Sequence, residues 1–536
     1  MTQRLVIFFA IAAAASRAAK HKWEPEFQTS DRCIGCHNEL TTVSGQDVSI
    51  GFNWRSSIMA NSSRDPYWQA SSRRETLDHR TKKEHIEDEC SVCHMPIPRY
   101  NAKLAGKDGT IFDHLPFGDD KKHGKEAADG VDCSVCHQIS AAKLGTPESY
   151  NGGFVIDPPD SPDSRPEYGP FEIDRGQLRI MKTSTAGYQP VKNTDHIQKS
   201  ELCATCHTLI TTAFGPDGKE VGTLPEQMPY EEWRNSDYRT KQTCQDCHMP
   251  TVPEPVPITR VFGVPRDGMK RHVFVAANFF MQRMLNKYRD DLDTGALPRE
   301  LESAATYTIS FLKEKSARVS IENVQVSGAQ LRADVLVDNL SGHKLPSAFP
   351  SRRCWLHVVV RDRNNRVLFE SGALRPDGSI VGNDNDADAT RYEPHYTEIT
   401  SSDQVQIYED IIGDMKDQVT TGLLAGVRFL KDNRLLPHGF DKSTPNKNIS
   451  VVGGAARDPN FTGAGNRVRY SVTLPSDAAG ETLRVEAELW YQPIGYRWAN
   501  NLKPYSSAPE PRQFTKYYES MSQGSAEILA QASVNR

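Results

Sequence analysis

Cys133-Ser-Val-Cys136-His137 repeats, residue for residue, Cys90-Ser-Val-Cys93-His94. Three more stretches keep the same frame: Cys33-Ile-Gly-Cys36-His37, Cys203-Ala-Thr-Cys206-His207 and Cys244-Gln-Asp-Cys247-His248. Ten of the eleven cysteines fall in these five copies. Cys-x-x-Cys-His is the attachment pattern of a c-type haem. Two thiols about one helical turn apart add to the two vinyl groups on one edge of the porphyrin. The histidine beside the second thiol then presents a neutral imidazole nitrogen to the iron. Disulfides and paired zinc ligands are the alternatives for cysteines in even number, but neither calls for histidine after every second cysteine. The reading is therefore five c-type haems, with Cys33, Cys36, Cys90, Cys93, Cys133, Cys136, Cys203, Cys206, Cys244 and Cys247 as attachment points and His37, His94, His137, His207 and His248 as proximal iron ligands.

The motif histidines lie 57, 43, 70 and 41 residues apart. That density leaves room only for short helices and loops, so porphyrin should form much of the core of residues 22–290. The rest of the composition narrows the class. The chain has 536 residues, 25% of them charged and 37% hydrophobic, with a formal net charge of -5. It has no basic tract, which argues against a nucleic-acid partner. Leu5 to Ala15 is apolar but too short to span a bilayer of about 30 Å. With Arg4 before it and Ser16-Arg17-Ala18 after it, residues 1–18 read as a signal peptide cleaved after Ala18, with Ala15 as the second choice. No later run has spanning length, so the expected setting is periplasmic or extracellular, without an integral membrane segment after cleavage.

A haem with two protein ligands passes electrons, whereas one with an open position can bind and reduce a small molecule. The distal ligands therefore decide between carrier and catalyst. Six histidines outside the motifs lie in this region: His79, His85, His114, His123, His196 and His272. His85 and His123 sit among Lys82, Lys83, Lys121 and Lys122 and read as solvated loop residues. His79 and His114 are distal candidates by position. Met95 and Met249 directly follow a proximal histidine and cannot reach the opposite face of the same ring, so they read as core.

Here the sequence resembles a known family. Trp54-Arg-Ser-Ser57-Ile-Met59-Ala60 is similar to the Trp-x-x-Ser-x-His-Ala segment that follows the first haem motif in multihaem cytochromes related to the hydroxylamine-oxidising and nitrite-reducing systems. There the histidine caps a haem. Methionine stands in its place here, so the resemblance implies Met59 as a distal ligand and a haem of raised potential. The alternative is an ordinary core methionine. Glu232-Trp233-Arg-Asn-Ser236-Asp-Tyr238 is a second such segment, without a ligand at the equivalent place. His196 before Ser200-Glu-Leu-Cys203 resembles an upstream capping histidine. Arg271-His272-Val-Phe-Val-Ala-Ala-Asn278 resembles the His-x-Phe-x-Gly-Gly-Asn segment that closes many such domains. Met59, His79, His114, His196 and His272 thus match five haems, a count that favours a carrier. Asn339-Leu-Ser-Gly342-His343-Lys-Leu-Pro346 is similar to a Thr-Gly-His-x-x-Pro loop of β-domains attached to multihaem cytochromes, which makes His343 a weaker distal candidate.

Beyond the motifs the pattern changes. Residues 279–315 have helical spacing broken around Gly295 and Pro298. Ala317 to Asp338, Trp355 to Arg361, Val405 to Ile412, Val468 to Leu474 and Leu483 to Tyr491 alternate as strands between turn residues. The expected class is α+β: a signal peptide over 1–18, a pentahaem domain over 19–290, a connecting helix over 291–316, a β-sandwich-like domain over 317–509 and a final helix over 510–536. Asp384-Asn-Asp386-Ala-Asp388 offers oxygens for calcium but lacks the glycine and terminal glutamate of a calcium loop, and reads better as a solvated turn. Cys354 reads as a buried thiol, with an intermolecular disulfide as the alternative. The function these readings imply is electron transfer between redox partner proteins. An oxidoreductase acting on a small nitrogen or sulfur compound at a five-coordinate haem is the alternative, and the β-domain is a surface through which chains could associate.

Overall fold

The computed structural model describes residues 27–118, 123–158, 164–185, 187–191, 194–444, 446–478 and 482–536. The expected signal peptide and the Lys121–Lys122 pair lie outside them. The described chain is α+β. Its first half is built from short helices, among them Asp31–Ile34, Pro66–Asp78, Lys83–His94, Cys133–Cys136, Ser200–Ala204, Pro229–Arg234 and Cys244–His248, with an antiparallel hairpin of Leu209–Phe214 and Glu220–Gln227.

Local chemistry starts these helices. The Asp65 carboxylate accepts from the backbone of Tyr67 and Trp68 at 2.8 and 3.1 Å, and Pro66 fills the first turn. Asp132 caps the third motif by accepting from Val135 N at 2.8 Å. Thr243 and Asp246 exchange hydrogen bonds across the start of the fifth. Ser30 donates twice to Asp129, and Trp54 Nε1 donates to Val131 O at 3.1 Å, so the first and third motif regions are stitched together.

Helices Phe279–Lys287 and Pro298–Lys315 lead into the second half. There, one sheet runs Phe461–Thr462, Gly465–Thr473, Gln330–Asn339, Ala317–Ser327, and the other runs Ile407–Tyr408, Arg353–Arg361, Arg484–Gln492, Glu527–Asn535. Alternate residues point into a shared core: Leu331, Ala333, Val335 and Val337 from one sheet, Val485, Ala487, Leu489 and Tyr491 from the other. Val335 pairs with Val468 and Leu489 with Leu356, so apolar side chains stand opposite one another along both ladders.

Two expectations are corrected. Val405 to Ile412 is not one strand. Ile407–Tyr408 joins the second sheet, and Asp410–Gly413 pairs with Arg428–Asp432 in a separate small sheet. The expected helix over 510–536 ends early: Pro509–Glu519 is helical, but Glu527–Asn535 is a strand on the edge of Arg484–Gln492. Pro511 in a first helical turn marks the start of this helix correctly but carries no signal for where it stops. The unpaired edge of the neighbouring strand supplies the hydrogen-bond ladder that makes the last residues a strand.

The halves are tied by ion pairs. Arg73 binds Glu510 through two nitrogens, each at 2.8 Å, and Arg55 pairs with Glu300. Among the described residues, no helix is long and apolar enough to cross a membrane.

Candidate metal centres

Each motif folds as a helical turn in which the histidine N–H returns to the carbonyl of the first cysteine, as in His37 to Cys33, His137 to Cys133 and His207 to Cys203, all at 3.0 Å. None of the eleven cysteines is paired in a disulfide. Thiols of different motifs are near enough to act on one another: Cys33 on Cys133, Cys93 on Cys206 and Cys244 on Cys203, in each case pushing the second-named thiol upward together with burial. Cys136 is near enough to act on both Cys203 and Cys206. Cys354 is fully buried in its strand, where burial raises its thiol and leaves no surface for an intermolecular disulfide.

Four motif histidines are tethered in the same way. Nδ1 lies 2.6 Å from Ile258 O in His37, 3.0 Å from Ser62 O in His94, 2.7 Å from Tyr168 O in His137 and 2.5 Å from Val275 O in His248. A ring that donates from Nδ1 to a carbonyl keeps its Nε2 lone pair for a metal. Burial holds His94 and His248 down to about 4, so both are neutral imidazoles at neutral pH, as ligation requires.

Two of these rings face a second imidazole. His272 lies opposite His137, with ring centroids 6.4 Å apart and planes within 18°. His343 lies opposite His248 at 6.2 Å and 6°. Both distal rings have Nδ1 on a backbone carbonyl, His272 at 3.0 Å from Lys270 O and His343 at 2.8 Å from Lys344 O. A metal–imidazole bond of about 2 Å, plus roughly 1 Å from ring nitrogen to ring centre, separates two trans imidazoles by about 6 Å. The donors present therefore fit an iron between each pair. Burial, then the facing His137, lowers His272 to about 3, again a neutral ring.

The other distal candidates stand differently. His196 has Nε2 2.9 Å from Ile139 O, and its ring meets the edge of Tyr168, the residue whose carbonyl tethers His137. Its Nε2 is engaged by that carbonyl, which leaves Nδ1 as its free ring nitrogen. His79 has Nε2 3.8 Å from Glu75 and its ring against Phe214. His114 Nε2 is 3.5 Å from Thr110 Oγ1. Met59 is half-buried in the turn after Ile50–Arg55, and its carbonyl accepts from Val131 N at 3.0 Å. Trp68, which sequence reasoning passed over, is stacked on His94 at 4.4 Å and 4°. Its place in the Pro66–Asp78 helix carried no sequence signal.

The proposed calcium segment is spoken for: Asp386 binds Arg353 at 2.8 and 2.9 Å, Asp384 pairs with Arg391, and Asp388 accepts from Thr390 Oγ1 at 2.8 Å. Its carboxylates turn to separate partners and do not converge into an oxygen cage.

No protein-family model and no curated protein matches the sequence. The fold is similar to that of a solved multihaem cytochrome. That structure is a penta-heme cytochrome c552 from Thermochromatium tepidum, with a TM-score of 0.54 at 15% identity, over 96% of this chain and 100% of that chain.

Proposed function

We propose that the protein is a multihaem c-type cytochrome that transfers electrons between redox partner proteins outside the cytoplasm. The facing imidazoles at 6.2 and 6.4 Å carry this reading, because a centre with both axial positions filled by histidine exchanges electrons without binding substrate. Haem supplies an iron that changes oxidation state; the chain supplies everything else. The ten motif cysteines would hold the porphyrins covalently and the five motif histidines would ligate the irons, with His272 and His343 as the second ligands at the third and fifth motifs. The carbonyls of Ile258, Ser62, Tyr168, Val275, Lys270 and Lys344 fix the ring tautomers.

The neighbouring thiols order the attachment sites. The first motif adjoins the third, the third adjoins the fourth through Cys136, and the second and fifth both reach the fourth. The fourth motif is therefore a junction, and partners could be served at more than one end. The haem-binding unit takes in residues 19–290, and the β-sandwich contributes a ligand to it.

One observation favours a second reading, an oxidoreductase acting on a small nitrogen or sulfur compound at an open haem. Among the described residues an imidazole stands opposite His137 and His248 but not opposite His207, at the junction, whose ring is lowered by burial and then by the nearby Arg352 guanidinium. A cation near an open position would attract an anionic substrate.

Intact-mass measurement together with spectra of the ferric and reduced protein, with and without carbon monoxide, separates these. Five covalent haems, all low-spin and unreactive to the gas, support the carrier. One gas-binding haem supports the second reading, and a chain exported without covalent haem defeats both. In the carrier, His272→Ala should create one gas-binding haem equivalent per chain; an unchanged low-spin spectrum would remove His272 from the ligand set.

A further inference from the structure

His343 belongs to the sandwich, yet its ring stands opposite His248 of the fifth motif. It lies in the loop of residues 340–352, which joins strands Gln330–Asn339 and Arg353–Arg361. A buried carboxylate from the first half reaches into that loop. Glu232, in helix Pro229–Arg234, is 0% exposed. Its Oε2 accepts from Lys344 N at 3.1 Å and from Ser347 Oγ at 2.6 Å, while Oε1 lies 3.1 Å from Arg434 Nη1.

Lys344 is thereby held at both ends. Its backbone N–H is fixed by Glu232, and its buried ammonium pairs with Asp432 at 2.6 Å. Arg434 also holds Asp432, at 3.0 and 2.7 Å. The Lys344 carbonyl is the tether of the His343 ring. Asn339 and Ser341 donate to His343 O at 2.9 and 3.2 Å, and Tyr238 OH donates to Leu340 O at 2.7 Å. Each bond fixes part of the loop, but Glu232 is the group that fixes the residue bearing the imidazole's tether.

Stability alone does not explain an ionic arrangement here. A buried ion pair exchanged for apolar residues of similar volume is often neutral or better for stability, which directs attention to the geometry these contacts impose on the loop.

We propose that Glu232 is a positioning residue for the metal centre between His248 and His343, fixing the 343–344 peptide so that the His343 ring faces His248. The proposal rests on the reading of these two histidines as axial ligands of one haem. It also accounts for the ligand-free segment Glu232 to Tyr238: this segment donates no axial group and instead orients one from the sandwich.

The test uses the haem-loaded full chain and counts carbon monoxide-binding haem equivalents and high-spin signals, with near-UV circular dichroism as the check that the sandwich is folded. His343→Ala should open one equivalent per chain. Glu232→Ala should raise the open fraction of that same haem about 10–100-fold, as loss of an outer-shell partner does. Glu232→Gln keeps an acceptor for Lys344 N and Ser347 Oγ and should restore the closed centre, a rescue that a merely structural role would not track. If His343→Ala opens no haem, the ligand reading itself fails. If His343→Ala opens one and a folded Glu232→Ala opens none, the positioning proposal fails while the ligand reading stands. Should Glu232→Ala not fold, Ser347→Ala removes one of the carboxylate's donors. A gas-binding fraction above wild type then supports the proposal, and a fraction equal to wild type overturns it.

Discussion

The motif-bearing half and the sandwich bury their apolar residues in opposite ways. In the sandwich and the helices that enter it, one large cluster runs from Phe279 through Val335, Leu356 and Val485 to Leu529, taking in Tyr67, Ala70 and Met228 of the motif half where the two meet. Around the motifs the aliphatic residues form small separate groups, such as Phe27, Ile97, Val135, Ile139 and Ile156, or Met95, Ile111 and Ala127. A continuous core pays the conformational entropy of folding by itself, whereas several scattered groups do not. In the function proposed above, the first half would be organised around side chains with another purpose, the thiols and imidazoles of the five motifs.

The largest expected effect breaks the two halves apart. Chain produced without covalent haem should leave residues 27–275 open to limited proteolysis, a loss on the order of a whole domain's stability, about 5–15 kcal/mol. The 317–535 region should stay protected. Equal protection of both halves would show that the motif region closes a core without porphyrin. The converse change is smaller. Leu489, fully buried between the sheets, becomes a cavity in Leu489→Ala, at a cost of about 2–5 kcal/mol in denaturant unfolding. The haem spectra of the folded variant should match the wild type. A shifted spectrum would mean that the sandwich core and the metal centres are more tightly coupled than the Glu232 contacts and the Arg73–Glu510 pair suggest.

How much of this was legible in sequence follows from how local each signal is. The five motifs need only five consecutive residues each. The hairpin within Ala317 to Asp338 and the strands at Trp355 and Leu483 declare themselves by alternation. The pairing of ligands does not. His343 lies 95 residues beyond His248, and only the packing of the sandwich against the Pro229–Arg234 helix brings them face to face. His196 is the converse case: a short spacing to Cys203 suggested a ligand, and the ring has its Nε2 on a backbone carbonyl and its Nδ1 left as the donor nitrogen. The last strand was hidden because Ala526, Ala530 and Ala532 are good helix formers whose state is decided by a neighbouring strand edge.

Buried charge repeats the contrast between the halves and yields the finest of these effects. In the second half, Asp432 is held down to about 2 because Arg434 and Lys344 outweigh the cost of its burial. In the motif half, Glu226 on strand Glu220–Gln227 is equally buried. It accepts from Gln227 Nε2 at 3.3 Å, and among the described residues it has no ion pair. Burial, reinforced by Glu89 and Glu75, raises it to about 8. A carboxyl whose folded pKa lies above its unfolded value binds more protons when folded. Its contribution to stability therefore falls as pH rises from about 4.5 to about 8, and changes no further above that. One pKa unit corresponds to about 1.4 kcal/mol, and relaxation around the ionised group reduces the total, so Glu226→Gln should stabilise the protein by on the order of 2 kcal/mol at pH 8. Near pH 4 it should change little, because both forms of residue 226 are then neutral. Denaturant unfolding of the haem-loaded protein at the two pH values measures the difference. Equal gains at both would mean that Glu226 is ionised in the native state despite its burial, and the contrast with Asp432 would then lie in packing and not in charge.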